Sequence, residues 1–166
     1  MSDPTYSLKQ VCALAGLSED PAEVSKLARQ IRHWTNSDLL HPQSGKRTGT
    51  GVSRRYSADE VRRAAVLVEI ARYRVPVPVI ESFAEAMDGY AGSPDWQAAM
   101  DGTRSVFLQL AWSEHNTQWT LSVDAPQTLL FDPKGSKDLQ AADDDASRIT
   151  SAIVMNLTAI FARVQV

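Results

Sequence analysis

The 166-residue chain predicts an α+β fold: a helical N-terminal half, then a small antiparallel β-meander and a terminal helix. Two changes along the sequence carry this reading. The hydrophobic period is helical up to about residue 87 and alternating from about residue 104, which separates amphipathic helices from half-buried strands. The charge also changes sign, because residues 1 to 75 hold twelve Lys and Arg against eight Asp and Glu, and the remaining 91 hold five against twelve. A net charge of −3 therefore conceals a basic half of +4 and an acidic half of −7. The basic half suits a polyanion, and the acidic half repels one. The expected boundaries are 1–87 for the first domain, 88–103 for a linker with a short helix, and 104–166 for a second module.

Three helix starts in the basic half have capping-box spacing: Ser7 with Gln10, Asp20 with Glu23, and Ser57 with Glu60. Each pairs a short oxygen-bearing side chain at N-cap with Glu or Gln at N3. The first helix, 8 to 15, shows Leu8, Val11, Cys12 and Ala15 on one stripe and stops at Gly16, expected at C′. Cys12 on that stripe reads as a small buried hydrophobe. The second helix, 21 to 36, opens on Pro21 at N1. It buries Val24, Leu27, Ala28, Ile31 and Trp34 and leaves Lys26, Arg29, Gln30, His33 and Asn36 on the other face. Such side chains can read DNA bases, since Arg bonds guanine and Gln or Asn bonds adenine bidentately, while Lys neutralises phosphate.

The segment from Gln43 to Tyr56 holds three glycines and the cations Lys46, Arg47, Arg54 and Arg55. It reads as a hairpin-like loop that brings charge to a phosphate backbone or a minor groove. A third helix from Ser57 to Arg72 carries Val61, Ala64, Ala65, Val68 and Ala71. After an extended Val75-Pro76-Val77-Pro78 joint, a fourth contains Val79, Ile80, Phe83 and Met87. Gly89, Gly92 and Pro94 then interrupt it.

Taken together, Arg29-Gln30-Ile31-Arg32-His33-Trp34, Leu39-Leu40, Pro42, Arg54-Arg55-Tyr56-Ser57 and Glu60-Val61-Arg62-Arg63, in this order, resemble the MerR-type winged helix-turn-helix domain over about residues 5 to 87. In that family a helix-turn-helix closes on Gly-Leu-Leu-x-Pro, and the wing that follows ends in Arg-Tyr-Ser. Here Asp38 holds the glycine position, and His33-Trp34 stands where two aromatics are usual. The resemblance implies that Arg32 and His33 hold phosphates, that Arg29 enters the major groove, and that Arg54, Arg55 and Tyr56 anchor the wing.

In the second half, Val106, Leu108, Leu110 and Trp112 form one alternating stripe, Trp119, Leu121 and Val123 another, and Thr128 to Phe131 a short third. A last helix is expected to carry Ile149, Ile153, Leu157, Ile160, Phe161 and Val164 on one broad face, wide enough for a homodimer contact. The acidic run Asp143 to Asp145 reads as favourable charge at its N-terminus.

The expected function is sequence-specific binding of double-stranded DNA by a transcriptional regulator with no cofactor, metal or catalytic site. RNA polymerase and a small-molecule effector are further conceivable partners. The alternatives are an excisionase-like or architectural DNA-binding protein, and a protein-interaction adaptor on a winged-helix fold. His33, His41 and His115 share no ligand spacing, and Cys12 has no second cysteine. With no secretory signal and no apolar run of membrane-spanning length, a cytoplasmic, nucleoid-associated location is expected.

Overall fold

A computed structural model describes residues 4–16, 18–45, 53–112, 117–124, 151–164 and 166. The chain is α+β, in two compact units: Met1–Ala91 with Ile160–Val166, and Gly92–Ala159.

The first unit begins with a two-residue strand β1 (Tyr6–Ser7) and helix α1 (Leu8–Ala15). Ser7 caps α1 through a full capping box, its Oγ accepting from the Gln10 amide and the Gln10 Oε1 accepting from the Ser7 amide at 2.9 Å. The apolar stripe of α1 buries Val11, Cys12 and Ala15. Gly16 follows α1 with φ −72°, not in the left-handed region expected of a C′ glycine. Its glycine is required by space instead, since a Cβ there would collide with the Cys12 carbonyl oxygen and lie 3.1 Å from Leu27 Cδ2. Helix α2 (Pro21–Asn36) starts at Asp20, whose carboxylate accepts from the Ala22 amide at 3.0 Å, with Pro21 at the first helical position. It buries Ile31, Trp34 and Thr35, while Val24, Leu27 and Ala28 are only half-buried. Asp38 then turns the chain at φ 60°, a conformation that short polar side chains enter more readily than most.

Strand β2 (Arg55–Tyr56) pairs antiparallel with β1, Tyr56 opposite Tyr6 and Arg55 opposite Ser7. Helix α3 (Ala58–Arg72) is the centre of this unit and packs on α1 and α4. It is buried on several sides, with Val61, Ala64, Ala65, Val66, Leu67, Val68 and Ile70 all inside. Ser57 Oγ caps it by accepting from the Glu60 amide at 3.2 Å, but the Glu60 carboxylate turns to the His41 amide, so the expected box is half formed. Helix α4 (Val77–Tyr90) runs through Gly89 and buries Val79, Ile80, Phe83, Ala84 and Met87. Arg63 of α3 is buried beneath it and donates to Asp88 and to the Ala84 carbonyl.

The second unit holds helix α5 (Pro94–Asp101), capped by Ser93 and closed by Gly102 in the left-handed conformation at φ 64°. Strands β3 (Val106–Trp112), β4 (Thr117–Val123) and β5 (Ser151–Asn156) form an antiparallel sheet in the order β4-β3-β5. Leu108 lies opposite both Leu121 and Met155, and Val106, Leu108, Leu110 and Met155 are buried on that shared face.

One expectation for this half is corrected. The long terminal helix gives way over Ser151–Asn156 to β5, which pairs with the edge of β3 away from β4, and helix remains over α6 (Leu157–Arg163). Ile153 fits a helical period with Leu157 and an alternating one with Met155, and the second edge of β3 supplies the backbone partner that decides between them. Asn156 makes the switch by accepting from the Ala159 amide at 2.9 Å. Thr158 fastens the new helix, its Oγ1 accepting from the Val106 amide at 2.9 Å and donating to the Arg104 carbonyl at 2.8 Å. The expected strand at 128–131, the Asp143 to Asp145 run and Ile149 lie outside the described residues.

Ile153 is half-buried in β5, and Leu157, Ile160, Phe161 and Val164 are buried inside the chain. The apolar face assigned to a homodimer is therefore split between two elements and covered by the protein itself.

Candidate nucleic-acid interface

The exposed side of α2 carries two rows of side chains rather than one face. Arg29, Arg32 and Asn36 are spaced i, i+3, i+7 and are all exposed. Glu23, Lys26 and Gln30 share the same spacing along the opposite flank, where they line a groove against the end of α3. His33 is exposed between the rows. Lys26 lies 4.0 Å from Glu23 with both side chains largely in water, a contact of little energetic weight. Gln30 is half-buried, so the expected Lys26-Arg29-Gln30-His33 reading face is divided.

Asn36, at the C-terminal end of the first row, meets the returning arm of the basic loop. Arg54 Nη2 donates to Asn36 Oδ1 at 2.8 Å, which ties the returning arm of the loop to the last turn of α2. Below it, the buried Tyr56 hydroxyl lies 3.0 Å from Thr35 Oγ1, and Thr35 Oγ1 itself donates to the Ile31 carbonyl at 2.8 Å. The two arms of the loop also hold each other: the Gln43 amide donates to the Arg55 carbonyl at 2.7 Å, and the Arg55 amide donates to Ser44 Oγ at 3.0 Å. Gly45 turns the outgoing arm at φ 86°. Arg55, next to the buried Tyr56 on a strand, points to solvent.

The outgoing arm is further fixed from α3. Glu60 Oε2 accepts from the His41 amide at 2.6 Å, and its Oε1 lies 3.8 Å from His41 Nδ1. Burial pushes the Glu60 carboxyl above the ordinary range, opposed by the His41 hydrogen bond and the charge of Arg63. Cys12 behaves as an internal hydrophobe: burial pushes its thiol up, against a smaller opposite pull from Arg32.

Of the expected DNA-contacting residues, Lys26, Arg29, Arg32, His33 and Arg55 are exposed, and Arg54 is half-buried at the clamp. Tyr56 is corrected: it is 0% exposed and cannot touch a ligand, so it positions β2 from within the core. Lys46 and Arg47 lie outside the described residues. Thr35 and Glu60 were not among the expected site residues, although each holds one arm of the loop. A Thr in the last turn of a helix is a weak signal for the first, and Glu60 was absorbed into the capping box.

No protein-family model and no curated protein matches the chain. Among the described residues no three His, Cys, Asp or Glu side chains gather as a metal site, and no helix is long and apolar enough to cross a membrane.

Proposed function

We propose that this chain is a sequence-specific DNA-binding transcriptional regulator whose first unit works as a MerR-like winged helix-turn-helix. The observation that supports this best is the clamp between α2 and the basic loop. Arg54 on Asn36 and Tyr56 on Thr35 hold the returning arm of the loop beside the last turn of α2, the helix that carries Arg29 and Arg32. A cationic arm fastened to a cationic helix suits the phosphates of a duplex, whereas a merely solvated helix needs no such fastening. The left-handed Asp38 also stands where the related motif has glycine, as a turn of that kind requires.

In this reading α2 enters the major groove. Arg29 reaches base edges, Arg32 and His33 hold phosphates, and Arg55 with the loop contacts the flanking backbone. Reading paired half-sites requires a second copy. That homodimer would have to use surface other than Leu157, Ile160, Phe161 and Val164, which are buried. RNA polymerase and a small-molecule effector remain proposed partners of the same regulator.

The test is selection of duplexes from a randomised pool by the full chain, followed by fluorescence anisotropy across a salt series. Arg29→Ala should relax preference at one base position by roughly 1 to 3 kcal/mol. Arg55→Ala should weaken all sequences alike and reduce the salt slope by about one. Absence of any enriched sequence, with no salt-dependent binding, would overturn the proposal.

A further inference from the structure

The first unit contains a groove that the DNA-binding reading does not use. It has a volume of about 400 Å³ and lies between the turn after α1, the first half of α2 and the end of α3. That volume falls within the roughly 300 to 1,000 Å³ common for small-molecule sites. Its apolar lining comes from Val24 and Leu27 on α2 and from Val68 and Ala71 on α3. Val24, Leu27 and Ala71 are only half-buried, so apolar surface near the middle of a helical unit is left uncovered by the described residues.

The charged side chains around it fix the chemistry of an occupant. Lys26 and Arg72 line the groove with side chains 71% and 58% exposed. Glu23 beside Lys26 is 4.0 Å away and well exposed, so it neutralises that cation weakly. Glu69 is shared, with one oxygen 3.1 Å from Arg72 Nη1 and the other 3.3 Å from Arg163 Nη2. Among the lining side chains, Lys26 and Arg72 set two positive charges against the one negative charge of Glu23, while Glu69 and Arg163 stand outside the lining. Gln30 adds an amide able to donate and accept at the same wall.

We propose that this groove binds a small amphipathic carboxylate, its hydrocarbon body against Val24, Leu27, Val68 and Ala71 and its carboxylate between Lys26 and Arg72. An apolar body gains by leaving water, and the guanidinium of Arg72 offers the carboxylate a charge-assisted hydrogen bond. A cationic amphiphile of the same length would meet the surplus positive charge and bind less well. The site is independent of whether α2 reads DNA, because every group it uses lies on the opposite flank from Arg32 and Asn36.

The experiment uses the full chain and decanoate, with decyltrimethylammonium as the opposite-charge control. Binding is followed by isothermal titration and by amide chemical shifts in two-dimensional nitrogen–proton spectra. Decanoate should saturate one site and shift the amides of Val24, Leu27, Gln30, Val68 and Ala71 above all others, with the ammonium compound at least about tenfold weaker. Loss of a charge-assisted hydrogen bond, about 1.5 to 3 kcal/mol, corresponds to about tenfold or more in Kd. Arg72→Gln with Lys26→Gln should therefore weaken decanoate by about that factor. Ala71→Trp should fill the groove and abolish saturation while circular dichroism remains unchanged. Shifts centred elsewhere in the wild type, or equal binding of the two amphiphiles, would overturn the proposal even if the filled variant failed to fold. Because neither readout involves DNA, failure here leaves the DNA-binding reading standing, and the converse also holds.

Discussion

The hydrogen-bonded pair Tyr56 and Thr35 gives an asymmetric prediction for stability. Thr35 Oγ1 donates to the Ile31 carbonyl at 2.8 Å, so at its 3.0 Å contact with Tyr56 it acts as acceptor and the phenol as donor. Tyr56→Phe removes that donor and leaves the Thr35 proton satisfied, at a cost of about 1 kcal/mol, the usual net worth of one hydrogen bond. Thr35→Val keeps the shape and β-branching but strands the phenol hydroxyl in a residue 0% exposed. A buried donor without a partner costs about 1 to 3 kcal/mol, so this single change should be the larger, near 2 kcal/mol. With both substitutions the stranded donor is gone, and the double variant should lose only about 1 to 1.5 kcal/mol. The sum of the single losses exceeds the double by roughly 1.5 kcal/mol, a coupling within reach of a double-mutant cycle. Urea unfolding followed by circular dichroism measures all four proteins. Additive losses, or a smaller loss for Thr35→Val than for Tyr56→Phe, would refute the assigned direction of the hydrogen bond and the burial behind it.

Three further outcomes follow from other contacts. Asp88→Ala leaves the buried Arg63 guanidinium with the Ala84 carbonyl as its remaining partner from α4 and should cost about 2 to 3 kcal/mol in urea unfolding, whereas Arg63→Met, of similar volume, should stay within about 1 kcal/mol because Asp88 is 58% exposed and can hydrate. Burial raises the Glu60 carboxyl, so the folded state holds that proton more tightly than the unfolded chain and the ionised group opposes folding above the raised value. Glu60→Gln should therefore stabilise the protein at neutral pH, by a margin that shrinks as pH falls from the raised value to the ordinary glutamate value; a constant margin in unfolding midpoints across that window would contradict the assignment. Ile160→Glu puts a charge at a site 3% exposed and should lower the unfolding midpoint by several kcal/mol equivalent, where a dimer contact would instead have changed the sedimentation coefficient of a folded protein.

Most helix ends were legible because capping is local. Ser7, Asp20 and Ser57 each cap the helix expected of them, since the groups that cap a first turn lie within three residues. The partner of a cap's third residue is less local, and Glu60 was claimed by the His41 amide, nineteen residues away in sequence. Between Ser151 and Val164 the expected helix holds over Leu157–Arg163 and fails over Ser151–Asn156, for a related reason. Ile153 satisfies two periods at once, and the choice was made by the edge of β3, which no local pattern reports. On α2 the expected buried stripe included Val24 and Leu27, yet these line an open groove, because helical spacing gives direction around an axis and not which neighbour arrives. Tyr56 was placed by its motif among residues that touch DNA, and only the pairing of β2 with β1 turns it inward.

That inward turn explains how a two-residue strand can serve recognition. In β2 successive side chains point to opposite sides, so fixing Tyr56 in the core against Thr35 necessarily sets Arg55 toward solvent. The backbone of Arg55 is held as well, its amide by Ser44 and its carbonyl by Gln43. Little conformational freedom is left in that residue's main chain, so the backbone part of the entropy of presenting its guanidinium is lost on folding, and only the side-chain part on binding. Arg54 is held by another route, its guanidinium tied by the bond to Asn36 to the last turn of α2. The residues that hold the described arms of the loop, Ser44, Thr35 and Tyr56 among them, are thus distinct from Arg55, whose guanidinium is exposed. Substitutions in the first set should act through stability, and Arg55→Ala through affinity with the fold unchanged.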